Sequence, residues 1–340
     1  MKVKKHNTQF RIGIDLLGAE TSSLKLLLSI FDLAKSLIEP VEFHCFGTED
    51  LKKTFEQESA KNTPSIPIYF HTVSQTIEMD ESPLQAIRQK KDSSLYKGLT
   101  FLLDEKIDSF VSAGNTGALV ASSFLLLPKL PHVSRQALLA LMPTKQSPIA
   151  ILDLGATLSE KSSNLIDFAK LGYAFQKYRG ISSPKIGLLN IGSEKVKGSA
   201  FLQEIYNNLQ KVSDENPHFK FVGNVEAKEV FEGMVDVIVT DAFTGNVLLK
   251  TAEGITNFVF DTLESHIAKT DLDKVKQPLQ DLQSFLHYAQ SPGALLLGFD
   301  KVIIKCHSYC STHSFSRAVL SAIGFVKSHL VDNLKTYLTF

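Results

Sequence analysis

The stretch SFVSAGNTGAL, residues 109–119, reads as a strand, a tight turn and the start of a helix. Ser109–Ser112 is a short run that suits a buried strand. Gly114 and Gly117 then flank Asn115 and Thr116, and an apolar helical stretch follows. The first N–H groups of such a helix have no partner within it, so they can receive an anion. The same Asn or Thr can also serve as an ordinary helix cap.

Outward from this unit, the chain repeats the alternation. Arg11–Asp15, Val41–Phe46, Ile66–Phe70, Ile149–Leu152, Ile186–Asn190, Phe219–Val222, Val235–Thr240 and Val302–Lys305 read as strands. Helical stretches with apolar residues at i, i+3 and i+4 lie between most of them. That alternation predicts an α/β/α arrangement around a mainly parallel sheet. With no repeat or linker in view, the expectation is one α/β catalytic domain over 1–340. The Pro-containing stretches 61–67 and 143–148 read as connections.

Composition sets the outer limits. The chain has 340 residues, 44% hydrophobic and 21% charged, with 36 basic against 36 acidic side chains. Neutral balance argues against a general nucleic-acid binder. The three cysteines, Cys45, Cys306 and Cys310, are too few and scattered for a disulfide framework, which suggests a reducing cytoplasm. The basic start MKVKKHNTQFRIGID is followed by no long apolar run, so no signal peptide is expected. Cys306 and Cys310 with His307 and His313 fit no common zinc spacing.

In an open α/β sheet, ligands bind beyond the carboxyl ends of the strands. Several polar, glycine-bearing segments fall there. LLNIGSEKVKG, residues 188–198, ends a strand at Asn190 and continues into a loop with Gly192 and two lysines, Lys195 and Lys197. A backbone cradle with a lysine suits phosphate, although the Walker order is absent. VTDAFTGNV, 239–247, puts Asp241 and Asn246 at a strand–helix junction; capping is the alternative. Asn224 in FVGNVE, Asp153 in LDLGA and Asp15 in GIDLLG repeat the theme. In IKCHS, alternation along an extended segment places Lys305 and His307 on one side. Arg88, Lys90 and Lys91, after the MDESP segment at 79–83, form a basic cluster suited to phosphate or an acidic partner.

Taken in order, IGIDLLG, MDESPLQAIRQKKDSS, VSAGNTGAL, ILDLGA, IGLLNIGSEKVKG, FVGNVE, TDAFTGNVLLKTAEG and GALLLGFDKVIIKCHS closely resemble the phosphate acyltransferase family. They run from Ile12 to Ser308. The resemblance implies an α/β/α fold related to isopropylmalate dehydrogenase and phosphotransacetylase, and a homodimer. It implies transfer of a fatty acyl group from an acyl carrier protein (ACP) thioester to inorganic phosphate. The acyl-phosphate would pass to a glycerol-phosphate acyltransferase for phospholipid synthesis. Peripheral contact with the inner face of the cell membrane is implied, through an amphipathic segment at about 243–290. Leu272 to Tyr288 carries an i, i+3/i+4 apolar stripe, with Ala294–Leu297 just beyond.

Two departures stand out. The family's DAMGGD-like opening is here Asp15-Leu16-Leu17-Gly18-Ala19-Glu20, and its HGSS-like ending is His307-Ser308-Tyr309-Cys310-Ser311.

The chemistry calls for no cofactor or metal. A phosphate dianion is populated near neutral pH, and a thiolate leaves readily. Orientation and oxyanion stabilisation are the main tasks. Lys197 and the Asn115–Gly117 turn are assigned to phosphate, Asn246 and His307 to the carbonyl, and Asp241 to orientation. Asp15, Gly114, Thr116, Asn190, Gly192, Asn224 and Lys305 complete the expected substrate-binding set. A local basic patch from Arg88, Lys90, Lys91, Arg135 and Lys145 would receive the acidic carrier. A decarboxylating dehydrogenase would need a dinucleotide site, and no GxGxxG follows the first strand. A lipid or carrier-protein binder without catalysis would have no use for a phosphate cradle.

Overall fold

A computed structural model describes residues 9–61, 64–157, 161–266 and 293–339. The chain forms two compact units, Met1–Leu130 with Pro292–Asp332, and Pro131–Ser291 with Asn333–Phe340. The division falls at neither of the proline stretches read as connections.

The first unit contains β1 (Phe10–Asp15), β2 (Val41–Gly47), β3 (Ile68–Thr72), β4 (Ser109–Ser112), β10 (Ala294–Leu297) and β11 (Val302–Lys305). They pair in the order β3-β2-β1-β4-β11-β10. All are parallel except β10, which runs against β11. Helices α4 (Ser94–Leu103) and α9 (Thr312–Lys327) both pack on β1 and β4. A mainly parallel sheet is buried by helices over both of its faces, which is the three-layer arrangement. Close approach on the α4 side depends on glycine. A Cβ at Gly98 would lie 2.0 Å from the Phe110 ring, and one at Gly13 would lie 2.3 Å from Ile107.

The second unit contains β5 (Ala137–Met142), β6 (Ile149–Leu152), β7 (Lys185–Asn190), β8 (Lys220–Glu226) and β9 (Val237–Val239). Their order is β5-β6-β9-β7-β8, with only β5 antiparallel. Helix α6 (Ser162–Tyr178) packs on β6, β7 and β9. Phe168 and Phe175 are fully buried on it. Each contributes about 1.5–3 kcal/mol by burial.

The expected α/β class with a mainly parallel sheet is the observed one. The sequence reading did not pick out β5, whose ALLALM run lacks alternation because it is buried on both faces. It also treated Ala294–Leu297 as an apolar run next to a membrane-facing stripe. The structure corrects this: the run is β10, paired with β11 and largely buried. The stripe itself, Leu272 to Tyr288, lies outside the described residues. The start of the expected 243–290 segment is α8 (Ala242–His266). Among the described residues, no helix is long and apolar enough to cross a membrane.

Candidate functional site

In the first unit, three adjacent strands end on polar residues in one row. Lys305 on β11 registers with Ser112 on β4, and Ser112 registers with Asp15 on β1. All three are buried. The Ser112 hydroxyl donates to Asp15 Oδ2 at 2.7 Å and accepts from the Gly114 N–H at 3.1 Å. The Leu17 N–H donates to Asp15 Oδ1 at 3.0 Å. Burial pushes the Asp15 carboxyl pKa up, opposed by hydrogen bonds from Ser94, Leu17 and Ser112 and by the Lys305 charge. The Lys305 ammonium reaches the carbonyls of Ala113 and Cys306.

Beyond that row, Asn115 caps α5 (Thr116–Leu126), its Oδ1 accepting from the Ala118 N–H at 3.0 Å. Its Nδ2 donates to the carbonyls of Glu78, Met79 and Glu81. The cap therefore also pins the MDESP loop to the helix start. A Cβ at Gly117 would meet Pro83 at 2.6 Å, so that glycine is required by the same packing. The N–H groups of Thr116 and Gly117 lie in the first turn, outside the helix's own ladder. Asp15, Gly114, Asn115 and Lys305 are thus brought together. His307 is not part of the row: β11 stops at Lys305, which is buried, while His307 is exposed. The expected same-side pairing of the two fails because the segment is no longer a strand where His307 sits.

In the second unit, β6, β9 and β7 run side by side, so Asp153, Thr240 and Asn190 share one edge. Asn190 and Asn224 shape the lysine loop. Asn190 Nδ2 donates to Asn224 Oδ1 and to the Lys197 carbonyl, and Asn224 Nδ2 donates to the Glu194 carbonyl at 2.9 Å. Both amides are buried and committed to this loop. Gly198 has φ +86°, and a Cβ there would lie 2.6 Å from Asn190 Oδ1. Lys197 is different in kind. Its side chain is 46% exposed and 3.9 Å from Glu194, a loose surface pair that a stronger anion can replace.

Asp241 takes the capping role that was its alternative reading. Its Oδ1 accepts from the Thr244 N–H at 2.8 Å, and its Oδ2 accepts from the Thr244 hydroxyl at 2.6 Å. Asn246 is exposed on the opening turns of α8. Between them, a Cβ at Gly245 would fall 2.0 Å from the Asp153 carbonyl, so α8 starts directly against the Asp153 turn.

Asp153 is the residue that the sequence reading left out of the site. It is fully buried and its carboxylate accepts from the N–H groups of Leu138, Leu154, Ala156 and Thr157. Burial pushes its pKa up while those N–H donors oppose the rise. A strand-ending Asp followed by Gly was the available signal, but its amide partners come partly from β5, 15 residues earlier.

The basic residues are unequally available. Lys90 is held by Glu81 at 2.6 Å and Lys145 by Glu232 at 2.7 Å. Lys91 lies over the Tyr96 ring, and the backbone N–H of Arg135 donates to Asp167. Arg88 is exposed on α3 (Pro83–Gln89). The thiols are unsuited to nucleophilic work: all three are buried, Cys45 is pushed up to about 12, and Cys306 and Cys310 are also raised.

Known proteins similar to this chain agree with one another. The family profile described as "Fatty acid synthesis protein" matches residues 10–333. A phosphate acyltransferase of Chlamydia pneumoniae is 37% identical over 330 residues, covering 96% of this chain and 98% of that protein. One from Halothermothrix orenii is 33% identical over 332 residues, covering 96% and 97%. In structure, a phosphotransacetylase from Streptococcus pyogenes superposes with a TM-score of 0.64 at 13% identity, covering 95% of each chain. That last likeness is one of fold.

Proposed function

This chain belongs to the phosphate acyltransferase family, and from that premise we propose that it moves a fatty acyl group from an ACP thioester to inorganic phosphate. A phosphate oxygen attacks the thioester carbonyl. The new C–O bond forms, the C–S bond breaks, and the carrier leaves as thiolate, taking a proton from solvent. The product is acyl-phosphate, a substrate suited to a glycerol-phosphate acyltransferase.

The observation that carries the reading is the strand edge of the second unit. There the glycine loop bearing Lys197 and the capped start of α8 stand on neighbouring strand ends. Lys197 is assigned to phosphate, where a charge-assisted contact replaces its loose pair with Glu194. Asn246 is assigned to the carbonyl, and Asp241 holds the helix start that presents it. Asn190, Gly192 and Asn224 fix the loop backbone. In the first unit, the α5 start at Asn115–Gly117 is a second anion-binding element. Asp15, Gly114 and Lys305 support it, and His307 is its exposed polar neighbour. With the three thiols buried and protonated, direct displacement is favoured over an acyl-cysteine intermediate.

The acidic carrier, the homodimer and the membrane contact belong to the same reading. Arg88 supports carrier docking because it is exposed. Phe243, Val247 and Phe258 form an exposed apolar stripe along α8, which supports a second copy as partner. The apolar spacing of Leu272 to Tyr288 supports a cytoplasmic enzyme resting on the membrane.

The test mixes purified protein with palmitoyl-ACP and phosphate. Hydroxylamine traps acyl-phosphate as a hydroxamate, and a thiol reagent counts released ACP. Equal, phosphate-dependent yields support the reading. Thiol release without phosphate dependence identifies a thioesterase instead. Sedimentation with and without liposomes reads the oligomer and the membrane contact.

A further inference from the structure

The loop that carries Lys197 also carries two exposed aliphatic side chains. Ile191 is 81% exposed and Val196 is 76% exposed. Both stand on the segment between β7 and α7 (Ala200–Glu215). Lys195 lies between them in sequence and is exposed as well. It sits over the Tyr206 ring, 5.6 Å from the ring centre, and among the described residues it forms no ion pair. Glu194 is the single acidic residue from Ile191 to Gly198, and its ion-pair partner is Lys197.

The backbone that presents these side chains is held in place. The Asn224 side chain donates to the Glu194 carbonyl at 2.9 Å, and the Asn190 side chain donates to the Lys197 carbonyl at 3.2 Å. The Gln203 Nε2 donates to the Val196 carbonyl at 2.8 Å and to the Gly198 carbonyl at 3.3 Å. The Ile191 N–H donates to Asn190 Oδ1 at 2.8 Å. Three side-chain amides thus brace the loop on which two bare aliphatics stand. Both aliphatics are also β-branched and stiff at χ1. A partner that covers them gains apolar burial with little conformational freedom to remove.

We propose that residues 191–197 are a docking surface for the acyl carrier protein. Ile191 and Val196 meet an apolar patch on the carrier, and Lys195 meets one of its acidic side chains. The proposal rests on the acyl-transfer reading, in which Lys197 of the same loop is assigned to phosphate. The acyl group arrives on an arm tethered to the carrier, so the carrier's own surface comes to the rim of this strand edge. Two lysines against one glutamate suit an acidic partner. An apolar centre beside a charged rim is the usual composition of a protein contact.

The experiment uses the full chain and the variants Ile191→Glu, Val196→Glu and Lys195→Glu. None of the three residues is assigned to the chemistry, and exposed positions tolerate such changes. Binding of fluorescently labelled holo-ACP is read by anisotropy. Acyl transfer is measured with palmitoyl-ACP and palmitoyl-CoA, which share the pantetheine arm. Ile191→Glu and Val196→Glu are each expected to weaken holo-ACP binding about tenfold or more, and to raise the KM for palmitoyl-ACP to match. Their kcat/KM for palmitoyl-CoA is expected to stay near the wild-type value, which also shows that they fold. Lys195→Glu is expected to weaken holo-ACP binding at low salt, with an effect that shrinks as salt rises. Unchanged holo-ACP binding in both aliphatic variants overturns the proposal. Equal losses on palmitoyl-ACP and palmitoyl-CoA also overturn it, because the loop then serves the chemistry alone. So does a changed oligomeric state in sedimentation with holo-ACP binding unchanged, which makes the loop a contact between copies. If the wild-type chain binds holo-ACP through this loop yet transfers no acyl group to phosphate, the acyl-transfer reading fails and the docking surface stands.

Discussion

Glu20 and Ser308 are 288 residues apart in sequence, and the Ser308 hydroxyl donates to Glu20 Oε1 at 2.6 Å. Beside them, the Thr21 hydroxyl donates to the Cys310 carbonyl, and the Cys310 N–H donates back to it. The Thr21 N–H also donates to the Ser308 carbonyl. The two segments in which the sequence departs from the family pattern are therefore in contact, and the departures form a matched clip. Glu20→Ala and Ser308→Ala should each cost about 0.5–1 kcal/mol, since the pair is exposed. The double variant should cost less than their sum. Urea denaturation of the four proteins in a cycle measures the coupling; strict additivity would mean the clip contributes nothing.

The Asp153 carboxylate gathers backbone N–H groups from both its own turn and β5. Asp153→Asn replaces one accepting oxygen with a donor facing N–H groups. It should destabilise the protein by about 2–4 kcal/mol, because buried donors lose their partner. Chemical denaturation checks the size. A loss below about 0.5 kcal/mol would show that the turn is held by other contacts.

Lys197→Ala should raise the KM for phosphate about tenfold or more, with much smaller change in the KM for acyl-ACP. The asymmetry separates this variant from a misfolded loop, which would affect both. Lys197→Arg should recover part of the loss, since the charge is kept. If kinetics at limiting phosphate match the wild type, Lys197 has no place in the site.

His71 sits against His44, with His44 Nδ1 and His71 Nε2 2.9 Å apart. Burial, then the charges of His44 and Lys97, push its pKa down to about 4 from 6.5. In this window the unfolded chain binds more protons than the folded one, so stability falls as pH drops from about 6.5 toward 4. The stabilisation is fully present above about 6.5. Urea midpoints measured across pH 4–7 should show the slope, and His71→Gln should flatten it. An equally steep slope in the variant assigns it to other groups.

Local order was readable in the sequence at several short apolar runs. Ser109–Ser112, Ile149–Leu152 and Val302–Lys305 were readable with their exact bounds. The parallel α/β class follows from alternation, because short apolar runs separated by amphipathic helices have few ways to bury their faces. Family membership was readable from the ordered motifs alone.

What the sequence could not assign was the work of each polar side chain. Asn190, Asn224 and Asp241 look like ligand residues in one dimension, yet two amides brace a loop and the carboxylate caps a helix. Asp153 looks like one turn residue among several, yet it is the most heavily hydrogen-bonded of the group. A linear chain shows which groups can donate or accept. Only the tertiary structure decides which partners, 15, 34 or 288 residues away, arrive within 3.1 Å to use them.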